Sequence, residues 1–310
     1  MKTIKKQLVL VISAFIVFSL HTEIHAATIT DAAGKVIEVN KPFTRIISLY
    51  GAHTENLFSL GLDEEIIGVS KSEDYPPKAM QKEVFDYRGD AEKFLAARPD
   101  LVLIRPMIQR SKAKLVAKLV EAGITVVSLQ PTNIDQTYSY WRKLGVLTGS
   151  EQDAEKMVQG FKAGLAEIEE RVKTIPAESR KRVYFEAIHR KMKTFAPTSM
   201  AMFALTSAGG INAAPDAKRV RTSNIAAYGK ERILARSEEI DVFLAQKGAM
   251  NRITRDTIIN EPGFAAIKAV RDGQVYLINE RLVSRPTLRM LEGIRQIGAI
   301  LYPKTFAAVR

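Results

Sequence analysis

Residues 89–103 read GDAEKFLAARPDLVL, and residues 229–244 read GKERILARSEEIDVFL. Both phrases hold a Gly, then a Glu-basic-apolar-Leu-Ala core, then a polar break, then an Asp beside a run of strand formers. Each predicts a short helix feeding a buried parallel strand. Their glutamates, Glu92 and Glu231, are 139 positions apart. Two copies at that distance predict two similar α/β lobes, each with a Glu at the start of one helix. A molecule built that way works in the cleft between its lobes. A matched pair of acids suits a partner that touches both lobes at once.

The flanking sequence extends the pattern. Residues 28–40 predict a hairpin with Gly34 at its turn, and Arg45–Leu49 a buried strand. The helix-like HTENLFSLGL follows and ends on Gly61, and then comes a strand over 66–69. Pro76 and Pro77 mark SKSEDYPPKAM as a loop. A helix over about 111–122 and a strand over 123–127 complete the first series. Strands alternating with such helices predict a parallel sheet covered on both faces. Over 151–173, Val158, Phe161, Leu165, Ile168 and Val172 form one apolar stripe of a long helix. Ser150 is its expected N-cap, with Glu151 and Asp153 favourable in the first turn, and Pro176 stops it. A second α/β series follows: RVYFEAI as a strand, a helix near 199–208 with Gly209-Gly210 at its C-terminal turn, the second phrase, a strand over 274–278 and a helix over about 287–301. The link between the halves is therefore a rod rather than a Gly- or Ser-rich tether, so limited hinge motion is expected.

The first residues predict a destination. Lys2, Lys5 and Lys6 precede an uncharged apolar run from Leu8 to Leu20, and small residues follow at Ala26-Ala27. This is the pattern of a cleaved secretory signal peptide, and the run is too short to be a membrane anchor. The 310 residues include no Cys, which excludes disulfides, thiolate metal sites, Cys nucleophiles and a lipid-bearing Cys. The expectation is a soluble, monomeric periplasmic protein that is not a lipoprotein. Residues 1–26 are read as the signal peptide, 27–150 as the N-terminal lobe, 151–175 as the connecting helix and 176–310 as the C-terminal lobe. The formal net charge of +12 is dispersed, with no basic stretch interleaved with aromatics. Together with export, this argues against nucleic acid and for a field that attracts anionic small ligands.

RIISLYGAHTENLFSLGL, IIGVSKSEDYPP, LAARPDLVL, EAGITVVSL, the long helix, ERILARS and VYLINERLVSRPTLRMLEGI, in this order, resemble the periplasmic substrate-binding proteins of ABC importers that take up ferric siderophores, haem and cobalamin. SEDYPP followed by YRGDAEKF is especially similar to the cobalamin-binding member. The resemblance implies an α/β fold of two Rossmann-like lobes joined by a single long helix, with the ligand cleft between them. It implies a small metal chelate as ligand, and as partner a permease dimer with its ATPase subunits. It also implies that an acid on each lobe docks onto permease arginines, and the matching positions are Glu92 and Glu231. Either Glu alone is equally explained by the dipole at a helix start. Lys93 and Arg232 beside them are expected to be solvated.

In open α/β lobes, ligands bind past the carboxyl ends of the strands. The loops at those ends carry many cations and few acids, including Lys71, Lys218, Lys247 and Arg281. The ligand-binding candidates are Tyr50, Tyr75, Tyr87, Arg88, Arg105, His189, Arg219, Arg221 and Arg285. Arg88, Arg105 and Arg285 rank first because their loops match the ligand-contacting loops of the resembled family. Arginine forks suit carboxylate and catecholate oxygens, and Tyr offers an apolar ring with a polar tip. The set suits an anionic ferric chelate, with a corrinoid as the alternative. Past residue 26 the histidines are His53 and His189. A lone His is more often structural, and no metal-ligand spacing is present, so no metal and no cofactor are assigned. The sequence has no G-x-S-x-G elbow, no phosphate loop and no G-x-G-x-x-G. No catalytic residue is assigned, and a chelatase-like enzyme is the alternative of another class.

Overall fold

The computed structural model describes residues 27–221 and 223–307. The signal-peptide reading of residues 1–26 lies outside the described residues. β1 (Ala27–Thr30) and β2 (Val36–Val39) form the expected antiparallel hairpin, turning at Gly34 with φ 81°. There follow β3 (Ile46–Ser48), α1 (Gly51–Ser59), β4 (Ile66–Ser70), β5 (Glu83–Phe85), α2 (Ala91–Ala97), β6 (Leu101–Ile104), α3 (Pro106–Ser111), α4 (Ala113–Glu121) and β7 (Thr125–Ser128). The five strands β3–β7 form one sheet in the order β5-β4-β3-β6-β7, and every neighbouring pair is parallel. Every residue of the central strands β3 and β6 is buried, as apolar runs covered on both faces require.

α5 (Ile134–Thr148) and α6 (Glu151–Lys173) then pack on each other. The sequence reading found α6 with these bounds and missed α5. The expected Ser150 cap is corrected. Gly149, at φ 68°, ends α5 immediately before Ser150, whose backbone is not extended (φ −115°, ψ 38°), and its side chain caps nothing. An N-cap hydroxyl reaches the helix amides from extended backbone, and the two-residue link Gly149-Ser150 does not leave Ser150 extended.

The second half contributes β8 (Arg182–Ile188), β9 (Lys193–Phe195), α7 (Met200–Ser207), β10 (Ile211–Asn212), β11 (Lys218–Arg219), β12 (Ile225–Ala227), α8 (Lys230–Ala235) and β13 (Val242–Lys247). α9 (Arg255–Ile259), α10 (Lys268–Arg271), β14 (Val275–Asn279), α11 (Glu280–Ser284), α12 (Met290–Leu301) and α13 (Pro303–Phe306) follow. β10, β8, β13 and β14 run parallel, whereas β9, β12 and β11 add antiparallel strands at one side. This sheet is therefore mixed. The chain leaves β8 through a single 3-10 turn at His189–Lys191 and Met192 at φ 44°, and a connection that short can return only antiparallel.

The repeated phrase has one structural meaning in both halves. β6 lies beside β3, and β13 lies beside β8. Asp100, before β6, accepts the backbone N–H groups of Thr44 and Arg45 at 2.9 Å each. Asp241, before β13, accepts that of Arg182 at 2.9 Å. In each lobe the Asp of the phrase thus grips the chain where the first strand of that lobe's large sheet begins. One cluster of buried apolar side chains runs from Ile46 and Leu101 through Trp141 and Phe161 to Val183, Leu244 and Ile294, so both lobes and the connecting helix share a core.

Candidate functional site: the interlobe cleft

Residues of the first lobe past β3 and β4 meet the segment that follows β14, residues 281–289, across a seam that begins with a buried relay. A carbonyl oxygen only accepts, so His53 Nε2, 3.1 Å from Ile104 O, carries the ring proton. His53 Nδ1 is then an acceptor and takes the Tyr140 hydroxyl at 2.6 Å. Asn56 Nδ2 donates to the Tyr140 oxygen at 3.2 Å and, across the seam, to the Pro286 carbonyl at 3.0 Å. Trp141 Nε1 donates to the same carbonyl at 3.2 Å. Burial depresses the His53 imidazole to about 3. His53 is a structural, neutral residue of this relay.

Beside the relay lies an ion-pair lattice between the lobes. Arg285 sends one guanidinium nitrogen to Glu55 at 2.6 Å and, more weakly, to Asp74 at 3.4 Å. Arg281 binds Asp74 at 2.6 Å. Arg289 approaches Glu55 at 3.7 Å and lies over the Tyr75 ring, 4.1 Å from its centroid. Glu55 is 2% exposed, and burial pushes its carboxyl up against the pull of Arg285 and Arg289. Gly51 makes the approach of Arg285 feasible, because a Cβ there would stand 2.6 Å from the guanidinium. Arg285, ranked first as a ligand contact, thus already holds two carboxylates from the opposite lobe.

Past the ends of β13 and β14 the second lobe opens into a hollow of about 510 Å³, lined by Lys247, Arg252, Leu277, Ile278, Asn279 and Arg281 among others. A neighbouring hollow shares Lys247 and Arg252 and adds Thr254 and Thr257. Neither lining contains an acid. Glu280, close by, accepts the Ala249 and Met250 amides at 2.9 and 3.1 Å and so fixes the loop after β13. Gly248 leaves room for this seat, because a Cβ there would meet the Glu280 carboxyl carbon at 2.0 Å. Arg252 was not among the candidates, although it sits in a loop past a buried strand and the rule that flagged Lys247 applies to it.

The remaining candidates are dispersed. The Arg105 guanidinium stacks on Tyr50, 4.4 Å from the ring centroid, and its Nε is buried without a hydrogen-bond partner among the described residues. Tyr87 is half-buried and Arg88 exposed beside it, 5.7 Å from its ring centroid. Tyr75 is 41% exposed. Arg219 donates to Thr198 on the β11 edge, and Arg221 is exposed with φ 53°. His189 is built into a separate cluster: its Nδ1–H donates to the fully buried Glu186 at 2.8 Å, and Nε2 faces Glu261 at 3.4 Å. The hydrogen bond to Glu186 raises the His189 pKa. Among the described residues no group of three or more His, Asp or Glu is placed to hold a metal ion.

Residues 46–282 match the family model described as "Periplasmic binding protein". The chain belongs to the periplasmic binding protein family. It is 27% identical over 288 residues to an ABC transporter substrate-binding lipoprotein of Bacillus subtilis (strain 168), covering 92% of this chain and 88% of that one. It is 29% identical over 274 residues to a vitamin B12-binding protein of Vibrio campbellii, covering 83% and 89%. Among solved structures, a Staphylococcus epidermidis protein described as a "possible" iron-binding (periplasmic solute-binding) protein superposes with a TM-score of 0.73 at 27% identity, covering 84% of this chain and all of that one. The family resemblance and the fold of two α/β lobes stand.

One expectation does not stand. The Bacillus subtilis relative is a lipoprotein, which overturns the reading of a periplasmic protein that is not a lipoprotein. That reading rested on the missing Cys and on residues 1–26, and this periplasmic binding protein family includes chains that carry a lipid anchor. Among the described residues no helix is long and apolar enough to cross a membrane. Glu92 and Glu231 both lie in the first turn of their helices, α2 and α8, and both are exposed. Their basic neighbours are not merely solvated, as expected. Lys93 pairs with Glu83 at 3.0 Å and donates to Val84 O, while Arg232 is held by Asp216 and stacks on Tyr228. Each cation is committed elsewhere, and each Glu is left without a salt-bridge partner among the described residues.

Proposed function

We propose that this chain is the substrate-binding component of an ABC importer, taking an anionic metal chelate of the ferric siderophore class into the interlobe cleft and handing it to a permease dimer with its ATPase subunits. The observation that carries this reading is the hollow past β13 and β14, whose lining includes Lys247, Arg252 and Arg281, with Arg281 also holding Asp74 of the first lobe. Arg and Lys there supply charge-assisted hydrogen bonds to carboxylate or catecholate oxygens, and Tyr50, Tyr75, Tyr87, Arg88 and Arg105 of the first lobe are the further contacts of this reading. The ligand is carried unchanged, and mass spectrometry after incubation separates binding from chelatase chemistry.

Calorimetric titration with a ferric tris-catecholate is the test. Lys247→Ala and Arg252→Ala should each weaken binding roughly ten- to a hundredfold, the loss of one charge-assisted bond. Wild-type affinity in both variants would refute the assignment of the hollow. A corrinoid is the second reading, favoured by the exposed Tyr75 face and the exposed Met107 and Met250, and by the vitamin B12-binding relative. Native mass spectrometry with absorbance distinguishes the two. Glu92 and Glu231 serve as the docking acids of this reading, one on each lobe. The lobe bounds 27–150 and 176–310, the helix 151–175 and the monomeric state belong to the same proposal.

A further inference from the structure

We infer that Asp74 is a specificity-determining residue, an internal competitor whose carboxylate sets how negative a ligand must be to hold the cleft. The inference rests on the reading of the cleft as an anion site. Its observation is that Arg281 belongs to two structures at once. The residue lines the cationic hollow, and its guanidinium binds Asp74 of the opposite lobe at 2.6 Å. Any anion drawn to Arg281 therefore meets a carboxylate already in place, which it must displace or tolerate.

The two acids of the seam differ in whether exchange is feasible. Glu55 is sealed: its side chain is 2% exposed and its partner Arg285 13%. Separating a pair that deeply buried leaves an uncompensated charge and is strongly unfavourable. Asp74 and Arg281 are 28% and 35% exposed, so water can take over either group when the pair opens. Arg285 does not depend on Asp74, since its short contact is to Glu55 at 2.6 Å while Asp74 stands 3.4 Å away. Removing the Asp74 charge thus leaves the Glu55–Arg285 pair in place and frees Arg281. Arg281 Nε is buried and without a hydrogen-bond partner among the described residues, so its guanidinium is not fully satisfied by its present neighbours. Asp74 acts by competing for Arg281, and an element that opposes the wrong ligand discriminates as effectively as one that attracts the right one. A multiply charged chelate overcomes it; a weakly charged one is rejected.

The test compares wild type, Asp74→Asn and Asp74→Glu by titration with two probes, an anionic ferric tris-catecholate and a neutral ferric tris-hydroxamate. Asp74→Asn should bind the anion roughly five- to tenfold tighter, the scale of one partly screened charge pair, and should leave the neutral probe unchanged. Asp74→Glu restores the carboxylate and should bind like wild type. Asp74→Ser is the second neutral variant should the amide fail to fold. Unchanged or weaker anion binding in the neutral variants overturns the inference, and so does an equal gain for both probes, because that is a structural effect. A wild type that binds neither probe sinks the anion-site reading itself. The Asp74 inference falls with it only if the neutral variants bind neither probe as well.

Discussion

His53, buried, and Glu73, half-buried, are titratable groups with opposite demands on pH. His53 is held neutral by burial, at about 3. The unfolded chain takes up this proton near 6.5 and the folded one does not, so the stability contributed by the neutral ring is lost as pH falls from about 6.5 towards 3. Glu73 runs the other way. Burial raises its carboxyl to about 7, against the pull of the Ser70 hydroxyl that donates to it at 2.6 Å. The folded state keeps a proton that the unfolded state loses near 4.5, so stability declines as pH rises from about 4.5 to 7. The two slopes oppose each other over the shared window. Glu73→Gln should remove the downward limb and stabilise the protein at pH 8 by about 1–3 kcal/mol, and denaturant melts across pH in the variant and wild type will show whether it does. At this scale the sequence disclosed which residues are cationic and where their loops lie, but not who neutralises them. The partners of Arg285 lie 230 and 211 positions away, and no local pattern announces a contact of that range.

At the scale of elements, what the sequence disclosed depended on how freely each helix could follow its own propensity. α6 is fronted by acids and has a clean apolar stripe, and its bounds were legible to the residue. α5 was not, although it is 15 residues long. Its Gly145 dilutes the helix signal, and packing demands that glycine, because a Cβ there would stand 2.7 Å from Ala154 of α6. The short strands β10, β11 and β12 have two or three residues each, too few to show a period. The repeated phrase was legible because one task recurs, with Asp100 and Asp241 each holding the start of the first strand of its lobe's large sheet. The same phrase leaves Glu92 and Glu231 exposed while Lys93 and Arg232 are drawn off by Glu83 and Asp216. A dipole contact alone would not need that arrangement, whereas a partner bearing two basic patches would use it. Glu92→Lys and Glu231→Lys should each impair uptake in cells carrying the cognate importer, and together more severely, since each charge then repels its patch. Calorimetric ligand affinity should stay at the wild-type value. Normal transport by both variants, or lost ligand affinity, would return the two acids to a local helix-capping role.

For the whole molecule the question is how far the lobes can move. α6 spans 23 residues as one uninterrupted helix, and it is seated on both sides. It packs on α5 along the first lobe and on α12 of the second, where Gly164 lets Leu291 come so close that a Cβ would meet its methyl at 2.6 Å. The seam adds directional constraints. Asn56 and Trp141 of the first half both donate to the Pro286 carbonyl of the second, and Glu55 pairs with Arg285 away from solvent. Wide opening would strip that carbonyl of both donors, at about 0.5–1.5 kcal/mol for each bond, and would also expose part of a shared apolar core. Hinges absorb large backbone changes at a few loop residues, and a continuous helix offers none. Ligand binding should therefore leave the radius of gyration in solution scattering nearly unchanged, unlike the compaction that hinge closure of free domains would give. Asn56→Ala with Trp141→Phe removes both seam donors while leaving α6 intact. If the seam limits the motion, this double variant should compact measurably on ligand binding where wild type does not. If wild type itself compacts by several ångström, the rod does not restrain the lobes.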